Sequence, residues 1–373
     1  MMSLTPHYGR RDSSMPINKT AGALINSVLL VFAVTAPSLA ADTEQMIRDA
    51  VAYHDQAEYQ QAIDLLREVV RLEPDNGFAA YELAYSHQAN GDLKDCAKVA
   101  GRARRKIRND EAQAELLPQL SMIQASCYSQ AGDTRKALKT FEKALQVSPG
   151  DFWLHFNISI TLANVGRLDE AIDHLETAIR INPWHPSPYY AIGSTYYESN
   201  QPVNAFLAYA NFLQREFNTE RCVNASRWMI DVMFSRIEND KANDSTTILL
   251  PRSPDMSSPE IAALDLALGL AAMTNAPDEK GTALDAGPIA DSIARFISIA
   301  GEMKYDSDPD SFFVQHLVSG ARNIEAEGVG TAFSYFVTSV AGVEGATEWL
   351  ESHDAETDAL VSYLESLAIQ DAE

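Results

Sequence analysis

Basic residues are scarce in this sequence. Lysine and arginine together number 29 of 373 residues, against 52 aspartates and glutamates, and the formal net charge is −23. A protein that binds nucleic acid needs a surplus of cations to neutralise phosphates, so this balance argues against a nucleic-acid partner. The hydrophobic content of 46% is sufficient for a folded core, and the length allows two structural units.

Motifs that carry catalysis or bind metals and cofactors are also absent. The sequence has no GxxxxGK[ST] phosphate loop, no HExxH zinc motif and no GxSxG nucleophile turn. The acidic run 306–311 lacks the glycine and glutamate that an EF-hand calcium loop requires. We therefore predict no metal, no cofactor and no enzymatic activity. The alternative is an enzyme whose site lies in the C-terminal half or in a cleft between the two halves.

A long hydrophobic run occurs only near the N-terminus. Basic residues precede the apolar stretch 28–36, and small residues end the segment 37–40. This order is typical of a signal peptide cleaved after Ala40 or Ala41. The apolar core is too short to span a bilayer, which disfavours an uncleaved anchor. We expect residues 1–40 to be a signal peptide, and the mature protein to be periplasmic or secreted in a bacterium, with no membrane span.

Beyond the signal segment, small residues recur with a period near 34. They are spaced by 34, 41, 34 and 34 residues and are Ala62, Cys96, Ala137, Ala171 and Ala205. The positions four and seven residues after each lie on the same face of a helix. Five residues before each lies a position suited to a left-handed helix end: Ala57, Gly91, Gly132, Gly166 and Asn200. Each unit is therefore predicted to be a helix, a tight turn, a second helix and a loop.

Two copies carry the pattern most clearly. They are FWLHFNISITLANVGRLDEAIDHLETAIRINP at 152–183 and LSMIQASCYSQAGDTRKALKTFEKALQVSP at 120–149. The pattern resembles the tetratricopeptide repeat family over roughly residues 43–217. The resemblance implies an all-α fold, a right-handed helical solenoid whose concave face binds a protein or a peptide, followed here by a C-terminal helical region.

The repeats suggest a domain organisation. We predict five repeats and a capping helix over 43–238, a linker over 239–259 and a C-terminal helical domain over 260–373. Seven extra residues follow the second repeat, and we expect them to lengthen its second helix by about two turns. The C-terminal residues either continue the solenoid as degenerate repeats or form a small bundle that folds back on it.

Candidate partner-binding residues lie on the first helix of each hairpin. On these first helices, positions three or four residues apart on the side away from the packed face carry large side chains that packing within the hairpin does not require. The selected residues are Phe78, Tyr81, Tyr85, Met122, Trp153, Phe156, Tyr190 and Tyr197. None is basic, so an uncharged or basic extended segment is a better partner than a terminal carboxylate. Alternatively, these rings pack against the C-terminal half or against neighbouring helices, or the protein self-assembles as a structural element; the oligomeric state is not predicted.

Two further groups allow two interpretations each. Cys96 and Cys127 are expected on adjacent helices, where they form either a disulfide or two buried thiols. A run of cations in an acidic chain either docks an acidic protein or anionic lipid, or complements the dipole at a helix C-terminus and stays solvated; we favour the second interpretation. These cations are Arg102, Arg104, Arg105, Lys106 and Arg108.

Overall fold

The computed structural model describes residues 39–235, 237–240, 245–248, 258–273 and 285–370. Residues 1–38, which hold most of the predicted signal peptide, lie outside this description. The chain divides into two compact units, Met1–Leu117 and Pro118–Glu373. The division falls within the segment predicted as one array, and not in the predicted linker 239–259.

The first unit is built from antiparallel helix pairs. Its helices are α1 (Leu39–Asp55), α2 (Tyr59–Leu72), α3 (Gly77–Ala89) and α4 (Leu93–Ile107), followed by the start of α5 (Leu116–Gln130). α1 packs on α2, α2 on α3 and α3 on α4. Ala62 and Leu66 are fully buried between these helices. The small alanine lets two helices approach closely, and the leucine one turn later fills the space beside it.

The insertion after the second repeat does not lengthen its helix, so that prediction was wrong. α4 has 15 residues, against 14 in α2, and ends at Ile107. A one-turn 3₁₀ helix follows at Glu111–Gln113, where the Asp110 side chain accepts a hydrogen bond from the backbone N–H of Ala112 at 3.1 Å. Such local side-chain bonds compete with helix continuation, which explains the early end of α4. Gln113 then turns back, and its Oε1 accepts from the N–H of Gly77 at 2.7 Å.

In the second unit the same pairing continues. After α5 come α6 (Thr134–Leu145), α7 (Phe152–Ala163), α8 (Leu168–Ile181), α9 (Pro186–Glu198), α10 (Pro202–Leu213) and α11 (Glu220–Phe234). Among the helices from α6 to α11, α6 packs on α7, α7 on α8, α8 on α9, α9 on α10 and α10 on α11. Phe141, Leu154 and Ala171 are fully buried in one core of this unit.

The five turn positions predicted from the repeat all adopt left-handed backbone conformations. Their φ angles are 60°, 83°, 79°, 74° and 59° at Ala57, Gly91, Gly132, Gly166 and Asn200. At the three glycines a Cβ atom would meet no heavy atom within 4 Å. Glycine is therefore favoured at these turns because other residues incur a steric cost in the left-handed conformation. It is not favoured because the surroundings lack room for a side chain.

The C-terminal part of the second unit is mostly helical. It comprises a hairpin of β1 (Ile237–Asp240) and β2 (Ser245–Ile248), then α12 (Pro259–Met273), α13 (Ala286–Glu302), a π-helical turn (Phe313–Val318) that continues into α14 (Ser319–Ala326), α15 (Gly330–Val340), α16 (Ala346–Ser352) and α17 (Asp354–Gln370). The antiparallel hairpin lies partly in the segment predicted as a linker. Its second strand reads Ser-Thr-Thr-Ile, and β-branched residues favour strands.

These C-terminal helices pack against α10 and α11, at the end of the repeats. The Phe206 and Phe296 rings meet edge to face with centroids 4.8 Å apart. The Asn211 Nδ2 donates to the carbonyl of Leu317 at 2.7 Å, and the Tyr363 hydroxyl donates to Gln214 Oε1 at 2.6 Å. α10 is therefore buried on both faces. Within the described ranges no helix combines the length and the apolar character that a membrane crossing requires.

Candidate functional site

In the first unit, aromatic side chains follow one face of α3. The helix starts because the Asn76 side chain accepts from the backbone N–H of Ala79 at 2.9 Å, which caps the first turn. The predicted residues Phe78, Tyr81 and Tyr85 then fall one turn apart. Phe78 is 45% exposed, and the two tyrosines are partly exposed. The structure therefore brings three of the predicted residues onto one accessible helix face.

The tyrosines of this face are ordered by stacking. The rings of Tyr81 and Tyr85 are nearly parallel, with centroids 6.3 Å apart, and Tyr85 stacks on His54 of α1 at 4.5 Å. His54 Nδ1 also lies 3.1 Å from the Ser86 hydroxyl. His54 was not among the predicted residues, which were taken from the first helices of the second to fifth repeats. These contacts limit ring motion, so a partner that covers the face would lose little additional side-chain entropy.

In the second unit, a separate aromatic cluster surrounds Trp153 at the start of α7. Asp151 caps the helix by accepting from the N–H of Leu154 at 3.0 Å. The Trp153 ring lies edge-on to Phe152 at 4.9 Å and to His185 at 5.3 Å. Trp153 and Phe152 are both partly exposed. Because Phe152 and His185 were not predicted, the cluster is larger than the helix pattern alone indicated.

Phe156 and Tyr190 are not accessible, contrary to their prediction as surface residues. Phe156 is 6% exposed and packs near Trp153, with centroids 6.1 Å apart. Tyr190 is 4% exposed and is enclosed by Phe212 at 5.1 Å and Trp228 at 5.7 Å. The prediction used the residue spacing on one helix at a time. It therefore did not take into account that α10 and α11 cover this position of α9.

Met122 and Tyr197 are each only partly available for contact with a partner. Met122 is partly buried against the core that includes Phe141. Tyr197 is 42% exposed, and its hydroxyl donates to Asp231 Oδ2 at 2.6 Å. That hydrogen bond, together with burial, raises the pKa of Tyr197, so the phenol stays protonated at neutral pH. Tyr197 therefore offers an aromatic face, while its hydroxyl is already engaged.

The three cysteines are divided between the two units. Cys96 is buried on α4 of the first unit, and Cys127 is buried on α5 in the second. The disulfide between them stays a prediction, to be tested by mapping peptides under non-reducing conditions. Cys222 is a buried free thiol on α11, with its Sγ 3.1 Å from the carbonyl of Glu216.

An open cleft in the second unit is lined by ionisable residues and bears on the enzyme alternative. It has a volume of about 470 Å³, and Glu176, Arg180, Glu260 and Tyr305 lie in its wall. Hydrogen bonds from Ser307, and then from Ser258, lower the pKa of Glu260 to about 2. A carboxylate held ionised in this way is a poor general acid at neutral pH. Among the residues that the structure describes, no group of three or more His, Cys, Asp or Glu could hold a metal.

Comparisons with known families identify two repeats. Residues 162–200 match the family described as TPR repeat, and residues 119–151 match the family described as tetratricopeptide repeat. The search of curated proteins found no match to this chain.

Several solved structures are similar to part of this chain. TTC0263, a thermophilic TPR protein from Thermus thermophilus, is 19% identical and covers 50% of this chain and 97% of its own, with a TM-score of 0.40. YrrB, described as a TPR protein with an unusual peptide-binding site, is 18% identical over 49% of this chain and 90% of its own, with a TM-score of 0.37. PilF of Pseudomonas aeruginosa is 16% identical over 51% of this chain and 82% of its own, with a TM-score of 0.43. These likenesses are too weak to carry an argument about function. The two family matches show that the chain contains tetratricopeptide repeats at residues 119–151 and 162–200, within its series of helix pairs.

Proposed function

We propose that the protein is an exported polypeptide-binding protein, and that its partners dock on the aromatic faces of α3 in the first unit and α7 in the second. Tetratricopeptide repeats support a role in protein–protein interaction. The finer proposal depends mainly on one observation, the row of accessible aromatic side chains on α3.

Exposure of this row has an energetic cost that folding alone does not explain. The opposite side of α3 is fully occupied by packing, with Ala79, Leu83 and Ala84 buried. Phe78 nevertheless remains 45% exposed. Burying a phenylalanine completely is worth about 1.5–3 kcal/mol, so a partner that covers Phe78 would gain a substantial part of that free energy. Tyrosine and tryptophan also offer large contact areas with few rotatable bonds.

The chemistry of these faces favours an uncharged or basic segment. None of the eight predicted residues is Lys or Arg, which the capture of a terminal carboxylate would require. The excess of acidic residues over the whole chain is weakly attractive to basic segments. An extended or helical peptide with apolar side chains and one or two lysines or arginines would fit.

Site-specific photo-crosslinking tests the proposal. A photo-reactive amino acid is placed at Phe78 or Trp153, and in a control protein at Val147, which is 76% exposed but lies on neither face. We expect the first two positions to crosslink a discrete polypeptide and the control position to give none. The segment identified by mass spectrometry is then synthesised, and its affinity is measured by calorimetry.

Alanine variants provide the second step. Phe78→Ala should weaken binding of that synthetic segment by about tenfold or more, as expected for a central aromatic contact, whereas Val147→Ala should leave it unchanged. Circular dichroism verifies that both variants are folded. Equal crosslinking at all three positions, or equal affinity of the two variants, would rule out these faces as the binding site.

Export is part of the same proposal and has its own test. Its support is the order of basic, apolar and small residues over 1–40. N-terminal sequencing of the protein from the periplasmic or secreted fraction should begin after Ala40 or Ala41. Recovery of the intact N-terminus from the cytoplasm would contradict it.

A further inference from the structure

A row of four basic side chains follows one face of α4, the second helix of the second repeat. Lys94, Lys98, Arg102 and Arg105 are spaced by four, four and three residues, and all four are exposed. At a rise of 1.5 Å per residue the row is about 16 Å long. We call these four residues the α4 row.

The α4 row is unpaired, although acidic residues are plentiful around it. Residues 39–117 contain fifteen acidic and ten basic residues. Arg48, Arg67 and Arg71 each form an ion pair with a carboxylate three or four positions earlier on the same helix, at 2.5–3.2 Å. In the part of the chain that the structure describes, no member of the α4 row has a carboxylate within 4.0 Å, whereas the nearby Lys106 pairs with Asp75 at 3.3 Å.

The helix dipole explains only the C-terminal end of this row. Cations stabilise the last turn of a helix and destabilise the first. Arg104, Arg105 and Lys106 are in the last turn of α4. Lys94 lies in the first turn, where a cation opposes the dipole, and Lys98 lies in the second turn, where the dipole offers it no stabilisation. The dipole therefore does not explain the placement of these two lysines, which a binding role would explain.

The carboxylates near the α4 row favour a partner that is no wider than one helix. Asp95 is exposed beside it, and Asp92 precedes it at the start of the helix. A broad anionic surface, such as a membrane, would meet these and the other carboxylates of the unit. One acidic helix laid along the α4 row would meet only the cations, because helices pack about 8–10 Å apart along a single line of side chains.

An acidic row of matching length lies on α17. Asp354, Asp358, Val361 and Glu365 are spaced by four, three and four residues, and all are exposed. The row covers eleven residue steps, as the α4 row does. Its three carboxylates have no ion pair among the described residues, and Val361 at its centre is 46% exposed. We call these residues the α17 row.

We propose that the protein associates with a second copy of itself, with the α4 row of one copy lying along the α17 row of the other. The net charge of −23 opposes association, but charges farther apart than about 8 Å are largely screened at physiological salt. The facing charges of the two rows lie in direct contact, where their attraction is strongest, and added salt weakens that attraction. This inference does not depend on the proposed polypeptide-binding function, because neither row includes an aromatic residue of α3 or α7.

Charge reversal tests the proposal by sedimentation velocity over a range of protein concentrations. The wild-type protein should self-associate, and raising NaCl from about 0.05 to about 0.5 M should weaken the association. Lys98→Glu/Arg102→Glu should raise the dissociation constant at least about tenfold, and Asp354→Lys/Asp358→Lys should do the same. An equimolar mixture of the two variants should associate again, because each supplies the intact row that the other has lost.

A matched control separates this pairing from a general effect of charge. Arg135→Glu/Lys139→Glu reverses two exposed cations on α6 and changes the net charge by the same amount, yet it should associate as the wild type does. Circular dichroism confirms folding of every variant. A monomeric wild type at all concentrations, or failure of the mixture to associate, would overturn the proposal. Binding of a monomeric protein to vesicles rich in anionic lipid, lost in the Lys98→Glu/Arg102→Glu variant, would also overturn it and assign the α4 row to membranes.

Discussion

Replacing Ala57 with glycine should stabilise the first unit, although it removes a side chain and adds no contact. Ala57 is exposed and joins α1 to α2 with a φ of 60°. At the equivalent position of the next hairpin Gly91 adopts a φ of 83°, and a Cβ there would meet no atom within 4 Å. The two turns thus share one backbone conformation, but the first carries a residue for which that conformation is strained.

The size of the effect follows from two opposing terms. A left-handed conformation costs a non-glycine residue roughly 1–2 kcal/mol through the clash of Cβ with the backbone. Glycine loses more chain entropy on folding, which costs roughly 0.5–1 kcal/mol relative to alanine. The steric term is larger, so Ala57→Gly should raise the free energy of unfolding of the first unit by about 0.5–1 kcal/mol.

Urea denaturation followed by circular dichroism measures the change, with the transition of the first unit analysed separately. Gly91→Ala is the reverse control and should lower the free energy of unfolding by about 1 kcal/mol. A decrease in stability for Ala57→Gly, or no change in either variant, would show that strain at these turns does not control hairpin stability.

Two further predictions concern the second unit. A Cβ at Gly320 would come within 2.6–2.7 Å of the side-chain amides of Asn211 and Gln214, so Gly320→Ala should destabilise this unit by about 1–3 kcal/mol in the same assay, and a neutral effect would contradict the observed packing. Burial, followed by the charge of His155, lowers the pKa of His174 below its ordinary 6.5. Since the unfolded state then binds more protons, stability should fall as pH drops through and below about 6.5, and His174→Gln should reduce this slope in pH-dependent denaturation; equal slopes would refute it.

Much of the hairpin structure could be read from the sequence. The recurrence of small residues predicted which helices pair, and the turn residues marked where each first helix ends. Both signals are local, because they depend on side-chain volume at one contact and on the backbone freedom of one residue. The structure of the insertion after the second repeat was predicted wrongly. The sequence shows the length of the insertion, but not the hydrogen bond that the Asp110 side chain accepts from the N–H of Ala112.

The aromatic faces were only partly predictable. Periodicity on a single helix selected Phe78 and Tyr190 by the same rule, yet one is 45% exposed and the other 4%. The difference arises from α10 and α11, whose side chains enclose Tyr190. That the C-terminal helices pack on α10 in particular also depends on the tertiary structure.

By itself, the sequence determined the helical period, the positions of the turns and the excess of negative charge, because each is set by neighbouring residues or by composition. Only the tertiary structure decided which aromatic rings reach solvent, where the C-terminal helices dock and which cations stay unpaired. Those properties depend on contacts between residues far apart in the chain. The spacing of side chains along one helix does not determine which neighbouring element will cover them.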